Sequence, residues 1–257
     1  MNEMASAFDA GASSFERFRV LPDGVPEAIR SAIHDAVHIP SPARVLDLGA
    51  GTGRIGRIFA QAGDLYVGLD ASLGMLQEFR RNTKNSFLVQ ANGEQLPFRD
   101  HAFDLVLLMH VLSGIRNFQP VIQEARRVCN SNGAIIVGRT ASPESGIDAQ
   151  LKQQLKLILE QMGVTWHRPQ ESYGKSLMFL EALSKRHIHM TAASWNIAAT
   201  ARDFLQRHQT GARFSTLPTA AQEVALDRLT AYAEKSFGAL DRSFEEQRNF
   251  ELDIFEF

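Results

Sequence analysis

The run Val45-Leu46-Asp47-Leu48-Gly49-Ala50-Gly51-Thr52-Gly53-Arg54, followed by Tyr66-Val67-Gly68-Leu69-Asp70, restricts the fold more than any other stretch of the chain. Val45–Leu48 is a short apolar run carrying one acid, which reads as a buried strand. Gly49, Gly51 and Gly53 let the backbone turn sharply and approach a ligand where a Cβ would collide. Ile55–Ala62 has a helical pattern. Leu65–Leu69 is a second apolar strand with Asp70 at its carboxyl end. In a doubly wound sheet that edge is where ligands bind, and a carboxylate there accepts both hydroxyls of a ribose.

Further segments extend the pattern. Gln90-Ala91-Asn92-Gly93-Glu94-Gln95-Leu96-Pro97-Phe98 precedes Phe103-Asp104-Leu105-Val106, and Glu124–Val128 precedes Gly133–Val137. With the D-x-G-x-G-x-G box at Asp47–Gly53, these residues resemble the class I S-adenosylmethionine (SAM)-dependent methyltransferases, in their ubiquinone/menaquinone-biosynthesis-like branch. The resemblance covers roughly residues 40–140. It implies SAM as cofactor and S-adenosylhomocysteine as product. It implies a cofactor site built from Asp47, Gly49, Ala50, Gly51 and Gly53 at the first strand end, and from Asp70, Ala71 and Met75 at the second. Asn92, Gly93, Glu94 and Met109 complete it at the third and fourth strand ends. Asn92 departs from the family, which commonly has Asp there; its amide oxygen still accepts from an adenine amino group, without a formal charge. Arg17 enters through the family's amino-terminal segment, where a basic residue meets the cofactor carboxylate; Arg19 shares that run and reads as solvated charge.

A competing reading exists. Gly51-Thr52-Gly53-Arg54-Ile55-Gly56 also fits the G-x-G-x-x-G dinucleotide fingerprint. Asp47 ahead of the glycines counts against a dinucleotide, which has no need of it, whereas a sulfonium cofactor carries an ammonium group that such an acid helps to hold. A third reading keeps the SAM fold without turnover, as a regulator or subunit.

At 257 residues the chain is one large domain or one domain with an elaborate cap. Net charge is −2, which gives no broad electrostatic footprint for nucleic acid. The single cysteine, Cys129, excludes an internal disulfide and favours a reducing cytoplasm. No apolar run approaches membrane-spanning length, and the first residues lack the form of a secretion signal. Oligomeric state is not readable.

Strand and helix patterns alternate through Ala134–Val137, implying a parallel α/β sheet with helices on both faces; the resemblance implies a Rossmann-like doubly wound sheet of seven strands, the last antiparallel, here with helical cap insertions. Three regions follow: 1–39 as an amino-terminal lid and helix, 40–140 as the SAM-binding core, and 141–257 as a helical substrate cap with the last two strands. Ile147–Met162 and Ser172–Leu183 read as helices, His187–Ala193 as the sixth strand, Ala201–Arg207 and Pro218–Phe237 as helices, and Phe250–Phe257 as a final edge strand. The long connections suit a cap that encloses a small-molecule acceptor.

Methyl transfer from a sulfonium is a direct displacement, so the protein mainly holds nucleophile, methyl carbon and sulfur in line. A base is needed only where the nucleophile must lose a proton. His110, ending the fourth strand, is the candidate for that role. His187 and His189 share a strand face, but no carboxylate or cysteine follows at ligand spacing, so no metal is expected. Met109–Ser113 lacks the Asn/Asp-Pro-Pro-aromatic motif of the amide- and adenine-modifying branches, and one cysteine is too few for arsenic methylation. An apolar lining from Met162, Trp166, Tyr173, Met178 and Phe179 is expected for the acceptor, although the same residues at helical spacing also suit ordinary core.

Overall fold

The computed structural model describes residues 9, 12, 19–83, 86–115, 117–164, 169–209, 214 and 217–257. Its first half alternates as expected: α1 (Val25–Ala36), β1 (Arg44–Leu48), α2 (Arg57–Gln61), β2 (Leu65–Asp70), α3 (Leu73–Asn82), β3 (Phe87–Gln90), β4 (Phe103–Met109), a 3-10 turn (Leu112–Gly114), α4 (Phe118–Val128) and β5 (Cys129–Ala141). The second half contains α5 (Ile147–Gln161), α6 (Pro169–Leu183), β6 (Arg186–Ala199), α7 (Ala201–Gln209), α8 (Thr219–Phe237) and β7 (Phe244–Glu256). The sheet order is β3-β2-β1-β4-β5-β7-β6, doubly wound as expected, but the last strand is not at the edge: β7 inserts between β5 and β6, which leaves β6 outermost. β1 pairs in parallel with both β2 and β4, and Asp47 stands level with Gly68 and Leu107. β7 runs antiparallel, so that Thr191, Ser194 and Arg186 of β6 bond in reverse order to Glu251, Asn249 and Glu256.

The chain divides into two units. The first contains residues 21–140, 168–193 and 250–257. β1 and β4 are buried on both faces, which is why they read as unbroken apolar runs rather than as alternating ones. α4 places Val121, Ile122, Ala125 and Val128 on one helical face against this sheet. Truncating the fully buried Ile122 to Ala would cost about 2–5 kcal/mol. At the amino edge two carboxylates pin the entry to β1. Asp64 accepts from the Ala43 amide and from Arg30, and Asp104 accepts from the amide and guanidinium of Arg44.

α6 departs from its expected place in a cap. Tyr173 and Leu180 are buried in the sheet unit's core, with Leu177 and Phe179 packed against it, and the Phe179 ring meets Phe118 of α4 at 6.0 Å. Met178 is 71% exposed. Hydrophobic lining from Tyr173 and Phe179 is therefore core packing, the bland alternative.

The second unit contains residues 1–20, 141–167 and 194–249. Its core is Ile147, Leu151, Leu155, Ile158 and Leu159 of α5, Phe204 and Leu205 of α7, and Ala225, Leu229 and Ala233 of α8. A half-buried ion network also joins its elements. Asp148 accepts from Arg207 at 2.6 Å and from Arg248 at 2.6 Å, and Glu246 caps the first amide of α5. Trp166, like most of residues 1–20, lies outside the described residues.

Candidate active site

Four strand ends bring most of the predicted site residues to the carboxyl edge of the sheet. The chain leaves β1 through Gly49, Gly51 and Gly53, all in the left-handed region with φ of 85°, 55° and 82°. A Cβ at Gly49 would overlap Val111, and one at Gly53 would overlap the Phe79 ring. Gly51 is different: a Cβ there would point into open space, with the Gly49 carbonyl oxygen at 4.0 Å as its nearest atom beyond the adjoining residues. A backbone that turns this way leaves room for a ligand to lie directly on it.

Asp70 organises this turn. One of its oxygens accepts from the Gly51 amide at 2.9 Å and the other from the Ser72 amide at 2.9 Å. The Ser72 hydroxyl in turn caps α3 by accepting from the Met75 amide. Ala71 is exposed beside Asp70, whereas the Met75 side chain is buried. At the third strand end, the Asn92 amide oxygen accepts from the Glu94 amide at 3.1 Å, and its nitrogen donates to the Glu94 carboxylate at 3.3 Å. Asn92 and Glu94 are exposed and Gly93 is half-buried.

Asp47 is 2% exposed. Its Oδ2 accepts from the Tyr66 hydroxyl at 2.8 Å, and its Oδ1 is buried with no hydrogen-bond partner. Burial pushes its carboxyl up to about 7; the Tyr66 hydrogen bond opposes this and the nearby Asp70 charge adds to it. A buried carboxylate with an orphaned oxygen is costly unless a donor or cation completes it. Sequence reading missed Tyr66 and Gly56. A Cβ at Gly56 would overlap both the Tyr66 hydroxyl and Asp47 Oδ2. The repeated glycine spacing was the visible signal for Gly56, but its purpose depends on a contact from a neighbouring strand.

β4 ends in Met109, which is buried, and His110, which is exposed. His110 has φ of 60°, a left-handed conformation that costs a residue with a side chain about 1–2 kcal/mol. Its amide donates to the Gly138 carbonyl at 2.8 Å, its Nε2 lies 3.4 Å from Thr140 Oγ1, and its ring meets Phe250 edge-on. Arg17 lies outside the described residues; Arg19 donates to the Arg207 carbonyl at 2.8 Å.

Two other expectations receive a structural answer. Sequence spacing offered no carboxylate for His187 and His189, yet tertiary pairing supplies one. Each imidazole has a nitrogen 2.9 Å from the same oxygen of buried Asp253, whose other oxygen accepts from the Tyr173 hydroxyl. Among the described residues no cluster of three or more His, Cys, Asp or Glu side chains is placed to hold a metal ion. Cys129 is buried, and burial pushes its thiol up to about 12, which keeps it protonated and inert.

Glycine turn, strand-end carboxylate and sheet order together define a Rossmann-like α/β fold. Residues 46–137 match the family described as a methyltransferase domain. The demethylmenaquinone methyltransferase of Renibacterium salmoninarum is 32% identical over 146 residues, covering 56% of this chain and 62% of the relative. The chain thus spans less than two thirds of the length of that curated relative. Among solved structures, the YcgJ protein of Bacillus subtilis superposes with a TM-score of 0.56 at 16% identity, covering 90% of this chain and 99% of its own. A SAM-dependent methyltransferase of Thermotoga maritima gives a TM-score of 0.56 at 14% identity, covering 98% and 99%. No helix among the described residues is long and apolar enough to cross a membrane.

Proposed function

We propose that this chain is a SAM-dependent methyltransferase acting on a small-molecule acceptor in a reducing, cytoplasmic setting. The observation that carries the reading is Asp47. It is a buried carboxylate with one oxygen unpartnered, one turn ahead of a glycine bend that leaves open space over Gly51. That pairing suits a ligand that brings a cationic ammonium group to the first strand end. The same edge offers Asp70 at the end of β2, where a carboxylate would accept from ribose hydroxyls. Asn92, Gly93 and Glu94 would face the adenine ring, with Ala50, Ala71 and Met109 as apolar lining. Met75 contributes through the α3 cap rather than through its buried side chain.

SAM supplies an electrophilic methyl group on a sulfonium, already activated for displacement. The chain's task is then to bind, to orient and to exclude water. His110 is the one titratable side chain placed at the end of β4 in a strained conformation, and it would face the acceptor. Acceptor choice would reside in the helical second unit, whose α5 follows directly from the carboxyl end of β5. Calorimetry with S-adenosylhomocysteine and with NADH tests the cofactor assignment. A panel of phenols, alcohols, amines and quinols, read by release of S-adenosylhomocysteine, tests turnover. Tight binding of NADH with none of S-adenosylhomocysteine would overturn the reading.

A further inference from the structure

Between β3 and β4 the chain runs through residues 91–102 without helix or strand. An irregular connection of that length inside a compact fold needs something to hold it. Its start is tied to the second strand end. The Ala91 amide donates to the Asp70 carbonyl at 3.2 Å, and Gln90 Nε2 donates to the Ala71 carbonyl at 3.2 Å. Its rear is tied to α4. Glu124 Oε2 accepts from the Leu96 amide at 2.7 Å. All five N–H donors of the Arg127 guanidinium are engaged. Nε and Nη2 fork onto the two Glu124 oxygens at 2.7 and 2.8 Å, and Nη2 also donates to the Leu96 carbonyl at 3.1 Å. Nη1 donates to the Phe98 carbonyl and to Asp100, both at 2.8 Å. The fork from Arg127 holds the Glu124 carboxyl below its ordinary range, so the pair stays charged at neutral pH. Exposed ion pairs usually stabilise little, but this one is bidentate and both partners also grip the backbone of one loop. Between the two anchors lie Asn92, Gly93 and Glu94. Gly93 sits against Leu48 at the end of β1, where a Cβ would come within 3.2 Å of Cδ2, and the Gln95 amide closes the turn on the Asn92 carbonyl at 3.1 Å.

We propose that Glu124 and Arg127 are positioning residues for base recognition. They clamp Leu96 and Phe98 from behind, hold Asn92–Glu94 in one conformation, and so set how sharply the site tells adenine from a base with a different edge. This rests on the reading above, in which Asn92, Gly93 and Glu94 face the adenine ring. Neither α4 residue touches the base in this account. Adenine offers an amine that donates and a ring nitrogen that accepts. Hypoxanthine reverses both, with a carbonyl oxygen and a ring N–H. A loop fixed in one conformation cannot reverse its own donors and acceptors, so the wrong base leaves polar groups unpaired. A loosened loop relaxes around either base, and the right base must then also order it. Arginine is required at 127 because only a planar fork reaches Glu124, Leu96 and Phe98 together; lysine keeps the charge and loses the geometry.

The test is calorimetry on the full chain with S-adenosylhomocysteine and with S-inosylhomocysteine, which differ only in the base. The native chain should prefer the adenine compound by more than about tenfold. Arg127→Lys and Glu124→Gln should each weaken S-adenosylhomocysteine by about tenfold and S-inosylhomocysteine less, so that the preference shrinks severalfold. Hydrogen exchange should show the Leu96 and Gln95 amides losing protection in both variants. Two controls separate positioning from stability. Ile122→Val loosens the core face of the same helix, and should lower the melting temperature with the base preference unchanged. Asp100→Asn alters only the outermost contact, on a side chain that is 66% exposed, and should also leave the preference unchanged. A native preference retained in both Arg127→Lys and Glu124→Gln would overturn the proposal. So would a preference that Ile122→Val erodes equally, or a native chain that binds both compounds alike. Failure of the native chain to bind either compound would instead remove the methyltransferase reading beneath it.

Discussion

The Tyr66 hydroxyl donates to Asp47 Oδ2 across 2.8 Å, in a pocket that leaves Asp47 2% exposed. A neutral donor on one oxygen is weak compensation for a buried charge, and the other oxygen has no partner. The carboxylate is therefore prepared to gain from a cation.

A pH dependence follows. Burial raises the Asp47 carboxyl from the ordinary range near 4 to about 7. The folded, unliganded chain prefers the protonated acid, so this group removes stability as pH rises from about 4 towards about 7. An ammonium ligand prefers the ionised form. Affinity for S-adenosylhomocysteine should then fall up to tenfold per pH unit below about 7, with proton release on binding. Methylthioadenosine, which lacks the amino acid portion, should not show this fall. Calorimetry in buffers of different ionisation enthalpy reads both, and equal pH profiles for the two ligands would detach Asp47 from the ammonium.

Gly56→Ala separates sterics from backbone preference. Residue 56 has φ of −63° and ψ of −31°, which alanine adopts readily, so helix propensity alone would favour the change. The overlap with Tyr66 and Asp47 reverses that, with an expected net loss of about 1–3 kcal/mol in urea denaturation and weakened S-adenosylhomocysteine binding. Gly63→Ala is the matched control: it has φ of 92° but nothing within 4 Å, so it should lose stability without touching affinity.

Asp70→Ala should weaken S-adenosylhomocysteine binding by at least tenfold, because hydrogen bonds to a charged group contribute about 1.5–3 kcal/mol each. The structure adds a second effect. The same carboxylate holds the Gly51 and Ser72 amides, so the variant should also lose protection of these amides in hydrogen exchange. Native exchange at both positions would show that the turn holds itself.

In the second unit, Asp148 accepts from Arg207 and Arg248, whose side chains are 20% and 12% exposed. Asp148→Ala would leave two arginines with their shared acceptor gone. The expected loss is about 1.5–3 kcal/mol of stability, the range for hydrogen bonds to a charged group. A midpoint in urea unchanged from native would reduce the network to surface decoration.

Legibility from sequence followed the range of the physics. β1, β2, β4 and the helices α3, α4 and α8 were readable because their periodicity or unbroken apolarity is local. The ends of β5 and β7 were not. The sequence pattern gives the fifth strand only as Ala134–Val137, yet the backbone is strand from Cys129 to Ala141, with a register shift against β4 at Phe103 and Leu105. Tyr66 looked like one more strand aromatic, because its partner Asp47 lies on the neighbouring strand. α6 was grouped with a cap because no strand pattern separates it from α5, but Tyr173 and Leu180 pack into the sheet unit's core. The carboxylate facing His187 and His189 comes from β7, beyond the reach of any spacing rule.

The seat of His110 has a consequence for the order in which a nascent chain becomes competent. Asp47, the glycine turn, Asp70 and Asn92 all leave the ribosome early and lie on neighbouring strands. Phe250 emerges far later, and until β7 pairs with β5 the His110 ring lacks the surface against which it is set. A partly synthesised chain would accordingly present the first three strand ends before the end of β4 is set against its final neighbour.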